Sequence, residues 1–156
     1  MSARLNDAAK WLREAVDRDG TMLIARLHLG RVETLRSREK DGLVHLERVF
    51  NGATDDDTAY LAALFSGAAH ERLRRPDAAA ASYRQAIARF PAGQAAYLAL
   101  SEILQSSGKT DESRAVLQSL LDGTAGLIRE PWWWYLVDQP GLAEERLAEL
   151  RREVRP

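Results

Sequence analysis

Residues Gln94–Leu121 read QAAYLALSEILQSSGKTDESRAVLQSLL and contain two amphipathic segments separated by a short break. In the first segment Leu100 and Leu104 lie four residues apart, a spacing that places side chains on one face of an α-helix. Gly108 interrupts the pattern, and Leu117 continues it in the second segment. Glycine favours a turn at such a break because it has no Cβ atom. The stretch therefore predicts two helices joined by a tight turn.

The same pattern returns along the chain at an interval of 34 residues. This offset superposes small or apolar residues in pairs: Gly67 on Ser101, Ala79 on Ser113, Tyr83 on Leu117, and Ala86 on Leu120. One helical hairpin of this size cannot bury its own apolar face, whereas stacked hairpins share a continuous core. The recurring hairpins are therefore expected to stack side by side.

The interval and the pattern resemble the tetratricopeptide repeat, a helix–turn–helix unit that carries a small residue in its first helix and a large one in its second. Ser101 with Leu117 and Gly67 with Tyr83 match these positions. Ser66 stands where the family usually has Leu, and Phe65 is expected to fill that space by rotation of the helix. The resemblance implies an all-α fold, a right-handed superhelical α-solenoid whose first helices line a concave groove.

The resemblance covers nearly the whole chain and divides one solenoid domain into five parts. These are a half repeat at 1–22, repeats at 23–59, 60–93 and 94–127, and a shortened capping hairpin at 128–156. The half repeat supplies only a second helix, in which Ala8, Leu12 and Ala15 fall at packing positions. In the linker 51–59, three consecutive aspartates favour the start of a helix, because anions stabilise a helix N-terminus.

Composition excludes several classes of protein. The 156 residues contain 22 Lys+Arg and 23 Asp+Glu, so neither nucleic acid nor a membrane is expected as a partner. Cysteine is absent, which excludes disulfides, thiol catalysis and thiolate metal sites. No apolar run of signal-peptide length follows Met1, so a cytoplasmic location is the default expectation, and a periplasmic one applies if upstream sequence was trimmed. The Arg-rich, Lys-poor composition indicates a bacterial source.

Catalytic and metal-binding patterns are not found in the sequence. His28, His45 and His70 each lack a second metal-type ligand three or four residues away. The tripeptide 108–110, Gly-Lys-Thr, lacks the earlier glycine of a phosphate-binding loop and is interpreted as a turn. No two carboxylates share an apolar setting that would suit acid–base catalysis. We therefore predict a protein that is not an enzyme and that uses neither a cofactor nor a metal.

The resemblance also implies where a partner binds. In the family, residues of the first helix that point into the concave groove contact the bound partner. The apolar candidates in this chain are Leu27, Leu64, Leu98 and Trp132, and the flanking candidates are Arg31, Ala68 and Glu102. The expected function is a non-catalytic interaction module or scaffold that binds a peptide or partner protein in a largely apolar groove. The alternative is self-association, with a homo-oligomer formed through the open terminal repeat.

The aromatic run 132–135 admits two interpretations. It holds three of the four tryptophans, directly after Pro131. Trp134 is expected to seal the last repeat, because terminal repeats of a solenoid are atypical. Trp133 is expected to belong either to the same cap or to an aromatic contact with a partner, since tryptophan is enriched in interface hot spots.

Overall fold

The computed structural model describes residues 2–123 together with residues 130 and 131. This part of the chain contains seven α-helices and no β-strand: α1 (Ser2–Arg18), α2 (Leu23–Leu35), α3 (Glu39–Gly52), α4 (Asp56–Arg72), α5 (Pro76–Arg89), α6 (Gln94–Ser106) and α7 (Thr110–Gly123). Each helix packs against the next one in the chain, and α2 also packs against α4. The predicted all-α repeat solenoid is thus confirmed.

Small residues in the first helix of each hairpin allow close approach of the second helix. A Cβ atom added at Gly30 of α2 would lie 2.7 Å from Cγ of Leu46, and one added at Gly67 of α4 would lie 2.6 Å from Cδ1 of Tyr83. Both distances are below ordinary van der Waals contact, so only glycine fits there. In the third hairpin a serine holds this place, and the Ser101 and Ser113 hydroxyls share a hydrogen bond of 2.8 Å.

The turn inside each hairpin uses a left-handed backbone conformation at the same place. The φ angle is 61° at Ser37, 55° at Arg74 and 77° at Gly108. Only glycine adopts this conformation without a steric cost from its side chain. The third turn was predicted from its glycine, whereas the first two adopt this φ at Ser37 and Arg74, which carry side chains.

Helix α4 begins earlier than the boundary at residue 60 suggests. It starts at Asp56, inside the predicted linker 51–59. The Asp55 side chain is the N-cap, since its Oδ1 atom accepts a hydrogen bond of 2.7 Å from the Thr58 backbone N–H. Asp56 and Asp57 occupy the first turn, where negative charge is favourable. The aspartate run therefore begins the helix, as its charge pattern predicted.

The main core is formed by buried residues of the five helices α2 to α6, and its large aromatic side chains come from α4 and α5. Tyr60 and Tyr83 are almost completely buried, and Phe65 is 2 % exposed. Phe65 thus lies in the core, as expected, while Ser66 is half-buried and donates a hydrogen bond to the Ala62 carbonyl. None of the helices in the described ranges combines the length and apolar character needed to span a bilayer.

A buried carboxylate ties the N-terminal helices together. Glu33 of α2 is 1 % exposed, and its carboxylate accepts hydrogen bonds from Arg13 of α1 and, at 2.9 Å, from Arg36. The Nε atom of Arg38 lies 3.6 Å from the same carboxylate. A buried charge is tolerated only when it is paired and hydrogen-bonded, so this cluster fixes α1 and the first turn on α2.

Candidate functional site

Two of the predicted groove leucines lie in the core. Leu27 of α2 is 1 % exposed and Leu64 of α4 is 8 % exposed, and both belong to the main hydrophobic cluster. The physical reason is that α2 packs directly against α4, which encloses the side chains between them. The expected continuous apolar stripe is therefore not open to a partner at these two positions.

The other predicted groove residues are more accessible. Leu98 of α6 is 54 % exposed, because α6 packs mainly against α5 and α7. Glu102, one turn further along α6, is exposed, and Ala68 of α4 is half-buried. Trp132 of the predicted groove, and Trp133 and Trp134 of the predicted cap or contact, lie outside the described residues. The accessible apolar surface of the predicted groove is thus concentrated at α6.

Polar groups from three repeats meet next to this surface. The Tyr83 hydroxyl donates a hydrogen bond to the Glu71 carboxylate. Burial, and then this bond to Glu71, raise the pKa of Tyr83 above its usual value, with a smaller contribution from Glu102 and an opposing one from Arg31. The Arg31 guanidinium stacks on the Phe65 ring at 4.9 Å from the ring centroid. The structure therefore brings Arg31 and Glu102 into one polar cluster, which also contains Glu71.

A second buried carboxylate closes the N-terminal end of α6. Glu130 is 3 % exposed and accepts a hydrogen bond of 3.0 Å from the Tyr60 hydroxyl. It also accepts hydrogen bonds from the backbone N–H of Gln94 and, at 3.1 Å, of Ala95. Because the N-cap residue of α6 is Gly93, which has no side chain, Glu130 supplies the cap from 36 residues further along the chain. Burial, with the Glu130 charge, raises the pKa of Tyr60.

Histidine and carboxylate positions give no sign of a metal centre. No group of three histidine, aspartate or glutamate side chains in the described ranges has a geometry that could hold a metal ion. The Nδ1 atoms of His45 and His70 are buried without a hydrogen-bond partner. Burial lowers the pKa of both, assisted by the positive charges of Arg26 near His45 and of Arg75 near His70.

A cleft of about 450 Å³ lies on a different face of α4 from the predicted groove. It runs between α3 and α5, and its lining residues are Leu43, Glu47, Phe50, Asn51, Ala63, Ser66, His70, Ser82 and Gln85. The Ser66 and Ser82 hydroxyls already donate to backbone carbonyls of their own helices. The cleft exists because small residues of α4 and α5 leave α3 and α5 apart, and no sequence pattern had indicated it.

Hairpins that share one core and repeat the same close contacts define an all-α helical repeat protein. Residues 72–127 match the tetratricopeptide repeat family. The chain is also similar to two solved structures. The crystal structure of MamA protein has 20 % sequence identity and a TM-score of 0.69, covering 80 % of this chain and 70 % of that one. A further crystal structure of MamA has 19 % identity and a TM-score of 0.66, covering 92 % and 83 % respectively. No curated protein matches the sequence.

The family match confirms the tetratricopeptide resemblance over residues 72–127, and the two solved structures support the same fold for the rest of the described chain. The similarity to the two MamA structures is below 25 % identity and therefore concerns the fold. The tetratricopeptide fold serves in general as a non-catalytic module for protein–protein interaction. The chain accordingly fits the broad class of interaction scaffolds.

Proposed function

We propose that the chain binds a polypeptide segment of a partner protein along the first helices of its repeats, with α6 as the main contact. The observation that carries the proposal is the exposure of Leu98, an apolar side chain 54 % accessible on a helix that otherwise packs well. An accessible apolar residue beside a polar rim is typical of a contact surface for another chain. Leu27 and Leu64 form the floor of the groove in this proposal and do not touch the partner.

The neighbours of Leu98 indicate the chemistry of the bound segment. Glu102 is exposed one turn away, and the Glu71 carboxylate is already engaged by the Tyr83 hydroxyl. A segment that places an apolar side chain on Leu98 can therefore direct its own N–H donors or a cationic side chain at Glu102. This arrangement differs from a groove that grips a carboxylate terminus, which requires cationic and amide side chains on the first helices.

The proposal is tested by site-specific photo-crosslinking in cells. A photoreactive amino acid replaces Gln105, which is exposed on the same face of α6, so that Glu102 is kept. The adducts are compared in three backgrounds: wild type, Leu98→Glu and Val44→Glu. Val44 is a suitable control because it lies on α3, a second helix, and is 52 % exposed, close to the value for Leu98. We expect discrete protein adducts that disappear in Leu98→Glu and persist in Val44→Glu. Adducts that persist in both variants would refute groove binding at α6.

A further inference from the structure

Helix α1 carries a wider apolar face than α2 covers. Ala9 and Val16 are buried against α2, where they form a small cluster with Ala25 and Leu29. Next to them on α1, Leu5, Ala8, Leu12 and Ala15 are only partly buried. Trp11 borders this stripe and is 65 % exposed. Leu12 and Ala15 also pack against the α1–α2 cluster, so the stripe is partly covered and Trp11 is its exposed edge. A large exposed aromatic side chain beside partly buried apolar residues is typical of an interface between chains.

The repeat pattern shows which kind of element fits the stripe. In the repeat pattern Ala8 corresponds to Gly42, Ala79 and Ser113. At these small residues the second helix of each other hairpin comes close to its first helix. At Gly42 this approach is so close that an added Cβ atom would lie 2.7 Å from the Gly30 carbonyl oxygen. A small residue at this place lets a neighbouring helix approach closely, so the stripe around Ala8 is shaped to receive another α-helix.

We propose that this helix is α1 of a second copy of the chain, packed antiparallel across a two-fold axis. The proposal goes beyond groove binding and does not depend on it. Charge complementarity supports a second copy as the occupant. Asp7 and Arg18 are exposed on the same rim of the stripe as Trp11. An α-helix rises about 1.5 Å per residue. Asp7 and Arg18 therefore lie on opposite sides of a centre near Leu12, each roughly 8 Å from it along the helix axis.

A two-fold axis at that centre brings Asp7 of each copy opposite Arg18 of the other. The two ion pairs then flank a contact formed by the apolar stripes and by Trp11 of both copies. Because the same surface is used on both sides, the contact closes after two chains and cannot extend into a filament. The first helices α2, α4 and α6 remain available to other partners in this dimer.

Light scattering after size-exclusion chromatography measures the expected mass directly. For the wild type at concentrations from about 1 µM to 1 mM, we expect a transition from the 17.4 kDa monomer to twice that mass. Trp11→Glu should weaken the dimer about 30-fold or more, as expected for an interface hot spot. Asp17→Arg is the matched control, because Asp17 is exposed on α1 away from the stripe. Circular dichroism confirms that each variant retains its helices.

A charge-reversal experiment tests the antiparallel arrangement. Asp7→Arg and Arg18→Asp should each weaken the dimer, and the double variant should restore it, because the two ion pairs then form with exchanged signs. A monomer at every concentration would overturn the proposal. So would oligomers that grow beyond two chains, or a dimer that Trp11→Glu leaves unchanged. A dimer that Trp11→Glu weakens but the double charge reversal fails to restore would overturn the antiparallel pairing.

Discussion

The contact between Gly67 and Tyr83 gives the sharpest test of how the repeats pack. A Cβ atom at position 67 would lie 2.6 Å from both Cδ1 and Cζ of Tyr83, and closer still to Cε1. The ring is 3 % exposed and its hydroxyl is bonded to Glu71, so it cannot turn aside freely. Overpacking costs about 1–3 kcal/mol, and contacts this far below van der Waals distance lie in the upper part of that range, about 2–3 kcal/mol. Replacing glycine by alanine inside a helix returns about 1 kcal/mol of helix propensity.

The Gly67→Ala variant is therefore expected to lose about 1–2 kcal/mol of unfolding free energy, because the ring contact prevails over the gain in propensity. For a chain of this size, that loss lowers Tm by roughly 2–8 °C. Thermal and urea unfolding followed by circular dichroism measure both quantities.

The matched control is Gly52→Ala at the end of α3, where an added Cβ atom meets Leu23 at an ordinary 3.4 Å. This variant should be as stable as the wild type or slightly more stable. In a Tyr83→Leu background, Gly67→Ala should cost less than in the wild type, because the ring that opposes the new methyl group is gone. If Gly67→Ala is instead as stable as the Gly52→Ala control, the close-packing argument fails for this hairpin.

Three further predictions concern the turns, the cap of α6 and the histidines. Arg74→Gly should raise the unfolding free energy by about 0.5 kcal/mol, because relief of the left-handed φ exceeds the entropic cost of glycine. Gly108→Ala should lower the unfolding free energy, because alanine is strained at that φ. Urea unfolding measures both changes. Glu130→Ala should lower Tm by several degrees, because the Tyr60 hydroxyl and the first N–H groups of α6 lose their acceptor. Since the folded-state pKa values of His45 and His70 are lowered, the unfolded chain binds more protons as pH falls through about 6.5, and stability declines. Replacing both histidines by Gln should flatten the pH dependence of Tm below about pH 6.5, and an unchanged slope would contradict this assignment.

The helical repeat could be predicted from the sequence because its signals are local and recur. Gly67 packs against Tyr83 within one hairpin, and Ser101 packs against Ser113 within the next. Gly67 and Ser101 are separated by the 34-residue interval and play the same part in their hairpins. Proline and glycine marked the ends of several helices for the same reason. A contact made within one hairpin needs no knowledge of how the hairpins stack.

The accessibility of the groove could not be predicted in the same way. Leu27, Leu64 and Leu98 hold equivalent places in three repeats, but their exposed fractions are 1 %, 8 % and 54 %. The difference arises from packing between hairpins, since α2 lies directly against α4. Glu33 and Glu130 were missed because Glu33 meets Arg13 from 20 residues away and Glu130 meets Gln94 from 36 residues away. A single glutamate gives no signal of burial in the sequence.

The two buried carboxylates show how a stack of nearly equivalent hairpins acquires distinct ends. Each helix packs against the next one along the chain through apolar contacts that are similar in kind, so the polar contacts are what differ from one hairpin to another. Glu33 pairs with Arg13 of α1 and with Arg36 and Arg38 at the turn that follows α2, whereas Glu130 caps α6, whose N-cap residue is a glycine. Removing Glu130 leaves the buried Tyr60 hydroxyl without its acceptor, which costs more than the net gain of forming the bond. Removing Glu33 costs less, because Arg13 and Arg38 are about half exposed and can turn to water. These polar contacts therefore distinguish the α1–α2 junction from the start of α6, which the recurring apolar positions do not.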